Sequence, residues 1–279
     1  MKTEDITDRG KTIAFAYLPN VDYRIASDRR RFIADLSKDI QDTNIGYAGF
    51  KTRKVLDDYL AKMVFDKEGI EDARSDFVLD NEQVLAAVRK AIIPSSRVIP
   101  GVPIHIFIFP TFSVFVGDNM SGTTGYTPWV NTTLAFINLR NRKWATALIR
   151  TISHEFCHAV CLRHHRYESL LDLLVFEGLA EHFREQVVGG EHAPWTQALN
   201  EIESRKVLAE LKSDNLLAST NPEIYRTMFF GGKKCALWAG YAIGYHLVRY
   251  FLQLNPGLDW EKIIAITPQN IFNRSRFLR

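Results

Sequence analysis

The sequence predicts an α+β chain, with helices first, a few strands next, and helices again to the end. Three observations carry this reading. Most of residues 1–95 repeat apolar positions at helical spacing. Residues 102–109 form a β-branched and aromatic run, bracketed by Pro100-Gly101 and Pro110. After Arg140 the period of a helix returns and recurs as far as Leu254.

Taken in order, residues 12–17 read as a short strand. Residues 28–41 place Phe32, Ile33, Leu36 and Ile40 on one helical stripe, and residues 53–65 do the same with Val55, Leu56, Tyr59, Leu60, Met63 and Val64. Residues 81–93 follow with Val84, Leu85, Val88 and Ile92, and Asn81 is the expected N-cap. None of this carries chemistry, so residues 1–95 are expected as a helical N-terminal lobe and residues 96–279 as a second domain.

The texture changes near Pro94. Residues 102–109 are a strand, residues 112–116 another, and residues 132–139 a third. Between them, residues 117–131 hold three Gly, one Pro and several Thr, Ser and Asn, which predicts a loop. Trp144, Leu148, Ile152, Phe156, Ala159 and Val160 then line one side of a helix running to about Leu162. Residues 168–188 predict a further helix, stopped by Gly189-Gly190. Residues 195–211 predict an amphipathic helix, residues 213–232 an irregular stretch, and residues 233–254 an apolar helix closed by Asn255-Pro256-Gly257.

Bulk properties narrow the classes. The chain has 279 residues, 46% apolar and 24% charged, which suits a globular protein with a sizeable core. The formal net charge is only +3. Arg29-Arg30-Arg31 and Arg274, Arg276 and Arg279 read as solvated surface and make no nucleic-acid stripe with interleaved aromatics, so no nucleic-acid partner is expected. Met1-Lys2-Thr3-Glu4-Asp5 leads into no apolar h-region, so no secretory signal is expected. The most apolar long run, residues 235–254, contains His246, Arg249 and Gln253 and reads as a buried helix, not a membrane span. Cys157, Cys161 and Cys235 are odd in number and include no CxxC. They read as small buried residues in a reducing, cytoplasmic compartment.

The chemistry sits in His154-Glu155-Phe156-Cys157-His158, an HExxH run on the expected helix. Residues four apart share a helix face, so His154 and His158 can close on one zinc ion. Glu155 then points toward the open coordination position, where it can take a proton from bound water. Catalytic zinc usually takes three protein ligands. His164 stands at the offset of the third His in HExxHxxGxxH, but Cys161 occupies the place where that pattern needs Gly to reverse the backbone. Glu177, in Phe176-Glu177-Gly178-Leu179-Ala180-Glu181, follows His158 after eighteen residues (159–176), enough for a turn and a second helix. Gly178 and Ala180 are small enough to let that helix pack closely. Glu181, one turn on, can hold the free nitrogen of a zinc-bound His, or else pair with Arg184. Glu168 follows the helix end too soon to be as good a ligand.

HExxH, eighteen residues, then E-G-x-A resembles the gluzincin metallopeptidases, whose aminopeptidase branch has that spacing. A longer similarity is to the YjaZ-like bacterial family of predicted zinc-dependent proteases. Its members carry HExxH, then EGLAE, then a segment near GYxIGY, here residues 154–158, 177–181 and 240–245. The similarity covers roughly residues 100–255. It implies that His154, His158 and Glu177 bind Zn2+ and that Glu155 is the base. It also implies a zincin-like core, a small twisted sheet packed on the HExxH helix, whose edge strand holds a peptide substrate by strand addition. That edge strand would be residues 132–139. The aminopeptidase signature G-x-M-x-N is missing, since Gly117-Asp118-Asn119-Met120 does not match it, which favours an endopeptidase or oligopeptidase. An oxyanion donor is expected from the Gly-containing helix: Tyr241 first, with Tyr245 or His246 as alternatives. His105, His182 and His192 have no ligand spacing and read as surface or satisfied core residues. Two other functions fit the same residues: a non-catalytic zinc sensor or scaffold, and a zinc hydrolase of non-peptide amides.

Overall fold

The first eighteen residues, a polar segment followed by an apolar one, build a hairpin. In the computed structural model, which describes residues 1–41, 43, 47–66, 78–232 and 235–279, β1 (Lys2–Asp8) pairs antiparallel with β2 (Lys11–Leu18). β1 was not expected. Its sequence is polar except for Ile6, the one fully buried side chain of the strand, which pairs with Ala14. The chain divides into two compact units, residues 1–159 and 160–279.

The first unit is an α+β layer structure around a five-stranded sheet in the order β1-β2-β3-β5-β4. After β2 come α1 (Arg29–Gln41), α2 (Arg53–Val64) and α3 (Asn81–Val98). β3 (Ile104–Pro110) is followed by α4 (Val114–Asn119), β4 (Thr123–Trp129), β5 (Thr132–Ile137) and α5 (Trp144–Cys161). β3 runs parallel to both β2 and β5, and both β3 and β5 are almost wholly buried, as strands covered on two faces must be. Phe107, Phe109, Leu134 and Phe136 point to one face, where Phe32 and Leu36 of α1 and Leu56 and Leu60 of α2 cover them. Strand alternation sends Ile106, Ile108, Ala135 and Ile137 to the other.

Several expectations change here. Residues 112–116 are not a strand: Ser113 accepts a hydrogen bond from the Val116 amide and caps α4. Residues 117–131 are not one loop, because they contain β4. Its Gly125 and Pro128 mimic loop composition, yet Pro is tolerated on an edge strand. β5 is therefore internal, and the edge expected at residues 132–139 belongs to β4. α3 runs through Pro94 to Val98, and Asp80, not Asn81, caps it by accepting from the Glu82 and Gln83 amides. β2, from the segment expected as a helical lobe, pairs with β3, so that segment and the residues after 95 share one sheet.

In the second unit, α6 (Leu170–Val188) opens on a capping box between Ser169 and Asp172 and closes at Gly189, whose φ of +66° suits glycine. The helix expected at residues 195–211 is divided. A 3-10 turn at Pro194–Gln197 precedes α7 (Glu201–Ser213), which has its own capping box of Asn200 and Glu203. Within the stretch expected to be irregular, α8 (Pro222–Phe230) forms, with Asn221 as cap and Pro222 in its first turn. α9 (Ala239–Leu254) is the apolar helix. Residues 233–234, at its expected start, lie outside the described residues. α10 (Trp260–Ile264) and α11 (Pro268–Ser275) follow, capped by Asp259 and Thr267. No described helix is long and apolar enough to cross a membrane.

α6 and α9 make the closest helix pair of this unit. A Cβ on Gly178 would lie 2.2 Å from the Gly244 carbonyl oxygen, and one on Gly244 would lie 2.0 Å from the Leu174 carbonyl oxygen. The two backbones therefore touch through their glycines. The EGLAE and GYxIGY segments thus meet at Gly178 and Gly244, each of which leaves room for the other helix.

Candidate metal centre

α5 presents the HExxH side chains one helical turn apart. The rings of His154 and His158 stand edge to face with centroids 4.5 Å apart. His158 is buried and His154 half-buried. His154, His158 and Glu177 together offer one ligand atom each, all within 4.8 Å of one another, so these three could hold a metal ion. Two imidazole nitrogens and one carboxylate oxygen are a donor set that suits zinc, with coordination positions left over. The residues fit the expected ion by number and by type.

Glu155 lies against β4. Its side chain is buried, and its Oε2 accepts a hydrogen bond from the Thr127 hydroxyl at 2.7 Å. The same hydroxyl oxygen is 3.2 Å from the Glu155 carbonyl oxygen and 3.2 Å from the Thr133 hydroxyl. Thr127 has one proton to give, and the short contact to a charged acceptor wins it. Its oxygen then accepts from Thr133. Gly125, two residues back on the same face of β4, leaves the space that Glu155 fills: a Cβ there would sit 2.5 Å from both Cγ and Oε1. One further step back, the Thr123 and Thr151 hydroxyls meet at 2.8 Å. Alternate residues of β4 thus face α5. Tyr126, between them, is exposed and packs on Tyr59 with centroids 4.9 Å apart. Burial first, and the nearby charge of Glu155 second, push the Tyr126 phenol up.

The competing ligand, His164, is exposed in the turn after α5 and does not join the cluster. Cys161 is still helical, without the left-handed backbone that a reversal at that point needs. Cys157, Cys161 and Cys235 form no disulfide and lie outside the cluster, the first two buried.

Glu181 is buried with Arg184. Its Oε2 accepts from Arg184 Nη2 at 2.6 Å, with both side chains 2% exposed, and its Oε1 accepts from Trp195 Nε1 at 2.7 Å. The ion pair considered as the alternative for Glu181 is therefore present. Tyr241 holds its ring against Phe229, edge to face at 5.0 Å, and near Trp195 at 6.3 Å. Tyr245 is engaged elsewhere: its hydroxyl donates to Glu185 Oε2 at 3.1 Å and its ring stacks on His182. Burial, reinforced by Glu185, pushes the Tyr245 phenol well above its ordinary range. The His246 Nε2 lies 3.2 Å from the Leu199 carbonyl oxygen and the His182 Nε2 2.9 Å from that of Tyr245, so each donates there. The His105 Nδ1 bonds the Tyr17 hydroxyl at 2.8 Å. Gly125 and Thr127 escaped the sequence reading. They lie in the segment 122–128, which is similar to the family but whose Pro and Gly argued for a loop.

A family model described as "Predicted Zn-dependent protease (DUF2268)" matches residues 84–273. Among curated proteins, the chain is similar to the "Uncharacterized protein YjfC" of Bacillus subtilis (strain 168), at 33% identity over 115 residues. That match covers 36% of this chain and 38% of the relative. No solved structure matches this chain significantly.

Proposed function

Because the chain belongs to the DUF2268 family of predicted Zn-dependent proteases, we propose that it is a zinc metallopeptidase, an endopeptidase or oligopeptidase and not an aminopeptidase. The observation that carries this is the gathering of His154, His158 and Glu177 donors within 4.8 Å, with Glu155 buried on the helix that supplies the two histidines. His154, His158 and Glu177 would hold the ion. Zinc, when bound, supplies Lewis acidity and a water acidic enough to ionise near neutral pH.

The remaining work falls to side chains. Glu155 takes the proton of the attacking water and later returns it to the leaving amine. Tyr241 donates a hydrogen bond to the oxyanion of the tetrahedral intermediate. Glu181 orients a ligand histidine; a carboxylate accepts up to about four hydrogen bonds, so its bonds to Arg184 and Trp195 are compatible with that. A peptide would add to β4, the outermost strand of the sheet among the described residues, whose Tyr126 and Trp129 side chains are exposed. The sheet with α5 would be the zincin-like core. Catalysis would belong to residues 96–279, with residues 1–95 completing the sheet and covering one face of it. Buried thiols and the absence of a disulfide among the described residues accord with a cytoplasmic location.

The test is Glu155→Gln, assayed on a peptide library with zinc content measured alongside. Loss of turnover at full zinc is expected, and unchanged turnover removes Glu155 from its role. One bound zinc with no cleavage of any peptide pool by the wild type would favour the sensor or non-peptide amide readings.

A further inference from the structure

We propose that Thr127 and Gly125 of β4 are positioning residues for Glu155, together fixing where its carboxylate stands; this rests on the metallopeptidase reading above. A glutamate has three side-chain torsions, and a base that must meet one water proton gains from being held in one of their combinations. Nothing in HExxH itself does that. Here the edge strand does it from two sides.

Thr127 pulls. Its hydroxyl gives its proton to Oε2 at 2.7 Å, and the side chain is 9% exposed, so little water competes for the bond. The Thr133 hydroxyl, 3.2 Å behind it, fixes the direction in which Thr127 donates. Gly125 yields. The position a Cβ would take is 2.5 Å from Oε1 and 2.7 Å from Cδ, so only glycine lets the carboxylate lie where Thr127 holds it. Gly125 has no positive φ that would demand glycine for backbone reasons. One oxygen is thus tied by Thr127 and the other rests over Gly125, and the pair selects one placement of the carboxylate. Both residues lie on the strand proposed to take the peptide, so the element that would align the substrate also aligns the base.

The experiment uses zinc-loaded full chain. Thr127→Val removes the donor at constant shape, Thr127→Ser restores it, and Gly125→Ala fills the space. Thr127→Val and Gly125→Ala are each expected to lower kcat by about ten- to a hundredfold, a fraction of what a positioned base contributes, with KM within about twofold. Zinc content should stay at the wild-type level, Thr127→Ser should recover most of kcat, and crystals of metal-free Thr127→Val should show the Glu155 carboxylate away from β4. A kcat for Thr127→Val within twofold of wild type overturns the proposal. So does a loss that Thr127→Ser fails to rescue, since that marks Thr127 as merely structural. If Thr127→Val does not fold, Gly125→Ala decides, with unchanged kcat counting against. A wild type without turnover, or an active Glu155→Gln, overturns the metallopeptidase reading and the proposal with it. A wild type that depends on Glu155 but not on Thr127 or Gly125 overturns the proposal alone.

Discussion

Gly178→Ala adds one methyl group where two helices touch. The new Cβ would lie 2.2 Å from the Gly244 carbonyl oxygen, 2.6 Å from its carbon and 2.8 Å from Val248 Cγ2. Unstrained contacts of this kind stand near 3.5 Å, so α6 and α9 must part by roughly 1 Å. The first two obstructing atoms are backbone and cannot rotate away. Overpacking of a core costs about 1–3 kcal/mol, and a backbone obstacle belongs at the upper end. Against this, Ala in place of Gly in a helix interior returns roughly 0.5–1 kcal/mol. The steric term wins, leaving a net loss of about 2 kcal/mol. For a protein of this size that lowers Tm by about 4–8 °C, read by calorimetry or by the urea midpoint. A Tm equal to wild type or higher, as an unobstructed helical glycine would give, refutes the close contact. Gly244→Ala meets the Leu174 carbonyl oxygen at 2.0 Å and is expected to be at least as damaging.

Arg184→Met should cost about 3–5 kcal/mol by chemical denaturation, because it strands the buried Glu181 carboxylate; the double change Glu181→Leu with Arg184→Met should recover much of that. His182 and His246 are both held below the ordinary histidine range, chiefly by burial. As pH falls through about 6.5 the unfolded chain takes up protons that the folded chain refuses, so stability is full above that range and declines below it, by up to about 1.4 kcal/mol per unit per histidine. Urea midpoints from pH 7.5 to 5.5 check this, and a flat profile contradicts it. Removing zinc with a chelator should lower Tm and restoring it should raise Tm, with a stabilisation of about 4 kcal/mol when zinc is a thousandfold above its Kd; equal Tm values with and without zinc argue against a site in the folded protein.

What could be read in advance follows from which forces are local. α1, α2 and α5 declare themselves by an apolar stripe written into consecutive residues, α6 and α9 by apolar runs of helical length, and Gly189 closes α6 where a glycine was expected to. β1 does not, since Lys2–Asp8 buries Ile6 alone and is held by its pairing with β2. β4 hides for a different reason. Its Gly125 is required by Glu155, and its Pro128 is allowed by an edge position that only the assembled sheet defines. The order β3-β5-β4 is likewise a non-local fact, which is why residues 132–139 were expected at the edge. For the candidate site, His154, Glu155 and His158 stand out by spacing, whereas Glu177 competed there with His164 and was favoured by Cys161 and by the family resemblance. Thr127 does not, because its partner is 28 residues away in the chain.

Zinc content measured on the wild type, Glu177→Ala and His164→Ala tests the central assignment most directly. After dialysis against excess zinc and removal of the unbound ion, the wild type and His164→Ala should each retain one equivalent, and Glu177→Ala should lose most of it. Full zinc in Glu177→Ala together with none in His164→Ala would contradict the ligand set of His154, His158 and Glu177.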